Sequence, residues 1–177
     1  MIDEKENVVL VDENDNETGT MNKLLAHRNG ILHRAISVFV FNPNGQLIIQ
    51  RRALHKYHSP GKWANTCCSH PRHGETVENA AHRRLMEEMG FDTRLEKAFS
   101  FIYKADVGKG LTEHELDHVL MGTFEGEPQI NPEEVDTWKA VDMSDLRQDV
   151  KDNPVDYAEW FKIIFERVDE FYRSKVG

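Results

Sequence analysis

Two short apolar runs separated by Asn42-Pro43-Asn44-Gly45 constrain this chain more than any other feature. Residues 34–41 are rich in β-branched and aromatic side chains, and Gln46-Leu47-Ile48-Ile49-Gln50 resumes the pattern. Such residues fit a pleated, packed surface. Asn44-Gly45 between two runs of this kind is a strong hairpin signal, because both central positions of a type I′ turn need φ > 0. The chain is therefore committed to a sheet.

Helices are interspersed with that sheet. Thr76 can cap a helix over 76–89, with Glu78 in its first turn. Val77, Ala81, Leu85 and Met89 recur at i, i+4, i+8 and i+12 as an apolar stripe, and Gly90 ends it. Val8-Val9-Leu10-Val11 is a short apolar run, followed by turn chemistry at Asp12-Glu13-Asn14-Asp15-Asn16. Further strands are expected over 98–103, 116–124 and 137–141. A short helix is expected over 143–150, and a long one over 155–174 with Trp160, Ile164, Val168 and Phe171 on one side. This pattern reads as an α/β fold on a mixed sheet. No repeat, low-complexity tract or Gly/Ser linker interrupts it, so residues 1–177 read as one domain. At this length a single core can bury roughly two-thirds of the surface that the unfolded chain exposes.

Charge and cysteine usage narrow the setting. Lys and Arg number 22 against 31 Asp and Glu, a formal net charge of −9 at pH 7. Such a field repels polyanions, which argues against nucleic acid and acidic membrane surfaces. It also counts against a small anionic substrate unless basic side chains converge locally. No apolar run approaches the ~20 residues of a membrane helix. The start, Met1-Ile2-Asp3-Glu4-Lys5-Glu6-Asn7, is acidic and polar, unlike a secretory signal. Cys67 and Cys68 are adjacent and cannot easily bridge without strain, so free thiols in a reducing, cytoplasmic compartment are expected.

The most informative stretch is 69–91. Glu75 is followed eight residues later by Arg83, then by Leu85, Glu87, Glu88, Gly90 and Phe91. This resembles the Nudix box, a loop–helix–loop that holds a divalent metal against a diphosphate. On a helix, Arg84 and Glu88 share a face at i, i+4, with Glu87 one position round. Carboxylates so placed suit a hard cation such as Mg²⁺. Two departures matter. Ser69 stands where the box opens with Gly, and Arg84 stands where it has Glu after its Arg. A guanidinium in place of a carboxylate should cripple hydrolysis and favour holding the diphosphate.

Just upstream lies Trp63-Ala64-Asn65-Thr66-Cys67-Cys68-Ser69-His70-Pro71, and downstream Glu113-His114-Glu115. Together with Lys23 to His27, His33, Arg51 to Lys56, Tyr103 and Trp160, these closely resemble the type I isopentenyl diphosphate isomerases. The resemblance runs from about residue 8 to about residue 165. It implies a Nudix-like α/β/α sandwich with a mixed β-sheet, and an isomerase of isoprenoid biosynthesis that interconverts isopentenyl and dimethylallyl diphosphate. It also implies Cys68 and Glu115 as the acid–base pair, with Tyr103 beside Glu115 and the π face of Trp160 near the developing cation. A metal site of His27, His33, His70, Glu113 and Glu115 carries over. Three imidazoles and two carboxylates suit Mn²⁺, Zn²⁺ or Fe²⁺ better than Mg²⁺. A second metal, Mg²⁺, is expected between Glu88 and the diphosphate, with Lys23, Arg52, Lys56 and Arg84 as phosphate ligands.

Each piece has a plainer reading taken alone. A thiol such as Cys68 is most often a small buried hydrophobe, and Trp160 on an apolar stripe is ordinarily core. Cys67-Cys68-x-His70 lacks the second ligand pair a structural zinc requires. His55, His58, His73, His82, His114 and His118 have no assignable role. A Nudix hydrolase and a non-catalytic diphosphate-binding module are the rival functions. The expected partner is a small-molecule isoprenoid diphosphate, and the oligomeric state is left open with a monomer favoured.

Overall fold

A computed structural model describes residues 5–176, so part of the acidic start, Met1 to Glu4, lies outside the described residues. The apolar run at 8–11 falls in β1 (Asn7–Val11), which pairs antiparallel with β2 (Glu17–Asn22). The turn between them is held by Asp12, whose carboxylate accepts from the backbone N–H groups of Asn14 and Asn16 at 2.9 and 3.0 Å. Asn22 then caps α1 (Lys23–Asn29), accepting from the N–H of Leu25 at 3.2 Å, and Gly30 closes the helix in the left-handed region.

The spine of the sheet is β3 (His33–Phe41). On one side it runs parallel to β8 (Leu111–Thr123), in register from His33 opposite Glu115 to Phe41 opposite Thr123. On the other side it pairs antiparallel with β6 (Cys67–Ser69), with Ser37 opposite Cys68. At its end Phe41 meets Leu47 of β4 (Leu47–Arg52). Next to β4 lie β5 (Trp63–Ala64) and β9 (Val135–Val141), and β7 (Leu95–Gly108) pairs with β8. Parallel and antiparallel pairs together make one mixed sheet of nine strands among the described residues.

The β3–β4 hairpin forms, but its turn is not the type I′ turn expected. Gly45 alone has positive φ, 78°, and Asn44 does not. The N–H of Gly45 donates to Asn42 O at 3.0 Å, and the N–H of Asn42 to Gln46 O at 2.8 Å. Pro43 fixes φ near −65° and so sets the first central position of a type I turn, which shifts the turn back by one residue.

Every residue from Ala35 to Phe41 is buried, because helices cover both faces. Ile36, Val38, Val40 and Ile48 pack against α2 (Val77–Met89), whose apolar stripe lies where expected. Thr76 caps α2, and Gly90 ends it at φ 70°. A Cβ at position 90 would meet Gln129 O at 2.2 Å, so only glycine fits there. Phe39, Phe41, Leu47 and Ile49 pack on the opposite face against α3 (Met143–Asp152) and α4 (Glu159–Val176). This is the α/β/α sandwich with a mixed sheet that was expected.

Two boundaries differ in ways that shape the site. The long helix begins at Glu159 rather than 155, because residues 154–156 form a 3₁₀ turn. Tyr157 then bridges to Trp63, and the N–H of Ala158 donates to Trp63 O at 2.9 Å. These bonds tie the stretch to β5 and leave Trp160 in the first turn of α4. β7 and β8 also extend well beyond 98–103 and 116–124, into a long hairpin that carries Tyr103, Glu113 and Glu115. No helix among the described residues is long and apolar enough to cross a membrane.

Candidate active site

Three imidazoles meet under the end of the sheet. α1 supplies His27 in its last turn, β3 opens on His33, and His70 follows β6 directly. Their candidate ligand atoms all lie within 4.8 Å of one another. Nδ1 of His27 lies 2.7 Å from Lys23 O, and Nδ1 of His33 lies 2.8 Å from Ile31 O. A carbonyl only accepts, so in a neutral ring Nδ1 carries the hydrogen and Nε2 the lone pair. Both Nε2 atoms are buried with no hydrogen bond among the described residues. Burial pushes His27 down to about 4 and His70 to about 3, in each case against the pull of Glu115. The two unpartnered Nε2 atoms, with His70 beside them, fit a metal ion.

The carboxylates come from β8. Glu113 and Glu115 are two apart and so point to one side of the strand. Both are buried. Glu115 Oε2 lies 2.7 Å from His70 Nε2 and 3.2 Å from His33 Nε2, and Glu113 Oε1 lies 3.9 Å from His27 Nε2. The Tyr103 hydroxyl, from the register neighbour of Glu115 on β7, reaches both carboxylates and lies 2.9 Å from Glu113 Oε2. Burial opposes charge on both groups. His70 and His33 nevertheless hold Glu115 well below the usual carboxylate range, while burial and the adjacent Glu115 push Glu113 well above it.

Adjacent residues on a strand face opposite ways, and β6 separates the two thiols accordingly. Cys67 is fully buried in the core under α2, whereas Cys68 faces the pocket on the α4 side. Burial, with Asp117 and Glu88 adding to it, pushes the Cys68 thiol far up, so it is protonated. Its sulfur lies 2.9 Å from Asn65 Oδ1 and 3.9 Å from Ser37 Oγ. Trp160 lines the same pocket and is 3% exposed.

Basic side chains form the other wall, where Lys23, Arg52, Lys56 and Arg84 line the pocket together. Arg52 lies over the Trp160 ring at 5.0 Å. Arg84 Nη2 donates to Glu88 Oε1 at 2.7 Å, the i, i+4 contact expected on α2. Burial works against the Arg84 charge, but Glu88 and its other anionic neighbours raise its pKa further still. Glu88 is also held by Gln50, whose Nε2 donates to Oε2 at 2.9 Å. His27 and His33 lie fully buried beneath the pocket, and all the other expected site residues line it.

The site contains residues that the sequence did not announce. Glu134 pairs with Lys56 and lies 3.6 Å from Arg84. Its position in a loop before β9 carries no motif. His58, given no role from sequence, is buried in the pocket with its ring edge-on to Trp160 at 5.6 Å. The other histidines without a role lie elsewhere, His118 for instance with Asp15 at 2.9 Å and His82 with Asp92 at 2.6 Å. Asp117 shares a face with Glu113 and Glu115 by the same two-residue step, and that spacing is the signal that could have found it.

Residues 31–162 match the NUDIX domain family. A crystal structure of a Deinococcus radiodurans protein shares the fold, with a TM-score of 0.70, 23% identity and coverage of 87% of this chain and 93% of that one. Isopentenyl-diphosphate Delta-isomerase 2 of Aromatoleum aromaticum is 52% identical over 164 residues, 93% of this chain and 87% of the relative. Isopentenyl-diphosphate Delta-isomerase of Pectobacterium atrosepticum is 47% identical over 167 residues, 94% of this chain and 93% of the relative. The chain therefore belongs to the isopentenyl-diphosphate Delta-isomerases of the Nudix superfamily.

Proposed function

We propose that this protein interconverts isopentenyl and dimethylallyl diphosphate, in isoprenoid biosynthesis, by protonating and deprotonating the alkene through a tertiary carbocation. The observation that carries this reading is the placement of Cys68 and Glu115. They stand on β6 and β8, on opposite sides of β3, and both open into one pocket with a cationic wall. An alkene held between them meets a proton donor on one side and an acceptor on the other. A proton added to the terminal methylene leaves positive charge on the branched carbon, and removal of a proton from the neighbouring methylene restores a double bond. A positioned acid or base contributes roughly 10²–10⁴-fold each, so much of the remaining acceleration must come from orientation.

Lys23, Arg52, Lys56 and Arg84 would anchor the diphosphate, the arginines by bidentate contacts. The Trp160 π face beside the branched carbon would favour the cation by ~2 kcal/mol, roughly 30-fold in rate. Tyr103 would pass or hold a proton at Glu115. His27, His33, His70, Glu113 and Glu115 would hold Mn²⁺, Zn²⁺ or Fe²⁺, and Glu88 would hold Mg²⁺ together with the diphosphate. When bound, these ions offset local negative charge and fix the orientation of the Glu115 carboxylate. Adjacent free thiols favour a reducing compartment, the cytoplasm.

The test is product analysis in deuterated water. Wild type should exchange deuterium into both isomers and approach the same product ratio from either side. Cys68→Ser should lose activity by 10²-fold or more, and Cys67→Ser should keep it. The opposite pattern, or phosphate release without isomerisation, overturns the reading.

A further inference from the structure

One buried polar side chain against the pocket belongs to none of the roles above. Asn65 lies between β5 and β6 and is fully buried, lining a small recess with Cys68, Arg52, Glu88 and Trp160. Its Nδ2 donates to Val38 O at 3.0 Å and to Cys67 O at 2.8 Å. Both amide hydrogens are thereby committed to main-chain acceptors, so Oδ1 is the atom left to face Cys68. A flipped amide would set a carbonyl oxygen against two carbonyl oxygens. At 2.9 Å from Sγ, Oδ1 can only accept, and the thiol must therefore be the donor.

The second neighbour works the same way. Ser37 Oγ donates to Asp117 Oδ2 at 2.7 Å, so its hydrogen is committed as well. Its lone pairs face Sγ at 3.9 Å. Two fixed acceptors thus stand around one rotatable S–H group. A cysteine side chain otherwise chooses among three staggered wells. With Asn65 anchored to β3 and to the backbone of Cys67, the sulfur is locked to the strand that delivers it.

We propose that Asn65 is a positioning residue that fixes the Cys68 sulfur for reaction with the alkene, its carboxamide oxygen holding the S–H in the resting site until the alkene takes the proton. This rests on the reading of Cys68 as one of the acid–base pair. A misplacement of a reacting group by about 1 Å can cost on the order of 10²-fold in rate. The hydrogen bonds of Asn65 run to Val38, Cys67 and Cys68, so the loss should fall on kcat.

Two measurements test this. In the intact wild-type protein, the Raman S–H stretching band lost in Cys68→Ser should lie at the low frequency of a strongly hydrogen-bonded thiol. A band at the free-thiol frequency overturns the proposal without any change at position 65. In Asn65→Ala that band should move to higher frequency. kcat should fall roughly 10- to 100-fold with KM within about twofold and metal content unchanged. An unchanged kcat, or a fall in kcat that merely follows lost metal or a raised KM, also overturns it. Failure of the wild type to isomerise strikes instead at the acid–base reading, and the Raman band still reports on the hydrogen bond.

Discussion

Single side chains decide what the pocket can do, and His58 shows how. Its ring stands edge-on to Trp160 at 5.6 Å with an interplanar angle of 79°. Burial, reinforced by Arg52 and Lys23, pushes its pKa down to about 2, so it is neutral. An edge-to-face contact of this kind contributes ~0.5–1.5 kcal/mol beyond the area it buries. Nothing in the spacing of nine histidines distinguished His58 from its exposed counterparts, because its contact with Trp160 spans 102 positions of sequence and exists only after folding. His58→Ala should loosen the indole and lower kcat roughly 2- to 10-fold, with the fold intact by circular dichroism. Steady-state kinetics would decide, and an unchanged kcat would show that Trp160 is held by its other contacts alone.

At the level of elements, what was legible followed from local rules. α2 was legible because cap, stripe and terminating glycine all lie within 15 residues, 76 to 90. The β3–β4 hairpin was legible from its flanks, although Pro43 overrode the Asn-Gly signal for turn type. The parallel pairing of β3 with β8 was not, because a parallel pair carries no turn of its own and its partners are 82 residues apart. β5 and β6 are two and three residues long, too short to show a period, yet β6 decides which of two adjacent thiols meets the pocket. β8 was read too short because Glu113 and Glu115 break the apolar pattern expected of a buried strand. Motif resemblance recovered those residues where periodicity could not.

A contact between elements also gives a pH dependence. Arg147 of α3 donates to Asp169 of α4 through Nε and Nη2, at 2.6 and 2.7 Å. Hydrogen bonding to Arg147 holds the Asp169 carboxyl below its ordinary value of 3.8. A group depressed in the folded state stabilises it fully above the unfolded pKa, and the benefit fades as pH falls through the lower folded value. The pair's contribution to the melting temperature should therefore be full and constant between pH 5 and 8 and fade below about 4. Arg147→Met should lower the melting temperature at pH 7 and leave a smaller further difference from wild type at pH 3. A deficit that persists unchanged at pH 3 would assign the loss to packing instead.

On the scale of the whole molecule, the net charge of −9 and the cationic pocket wall are compatible because Lys23, Arg52, Lys56 and Arg84 converge locally. The imidazole cluster joins three parts of the chain that are separate in sequence. His27 comes from the helix after the first hairpin, His33 from the central strand and His70 from the end of β6. An ion held by all three would bind the folded arrangement and not the separated segments. Its binding energy would then appear as folding stability, about 2.7 kcal/mol at a free concentration 100 times Kd. For a chain of this size that corresponds to a rise in melting temperature of roughly 5–10 °C. Exhaustive chelation should lower the melting temperature by that amount and abolish isomerisation. Mn²⁺, Zn²⁺ or Fe²⁺ should restore the melting temperature and, with Mg²⁺ also supplied, isomerisation, whereas Mg²⁺ alone should restore neither, since imidazole-rich sites disfavour it. His33→Ala should remove the stabilisation by added metal even where the apoprotein still folds. A melting temperature indifferent to chelation and to each ion, in a protein that still isomerises, would mean the three imidazoles converge for another purpose.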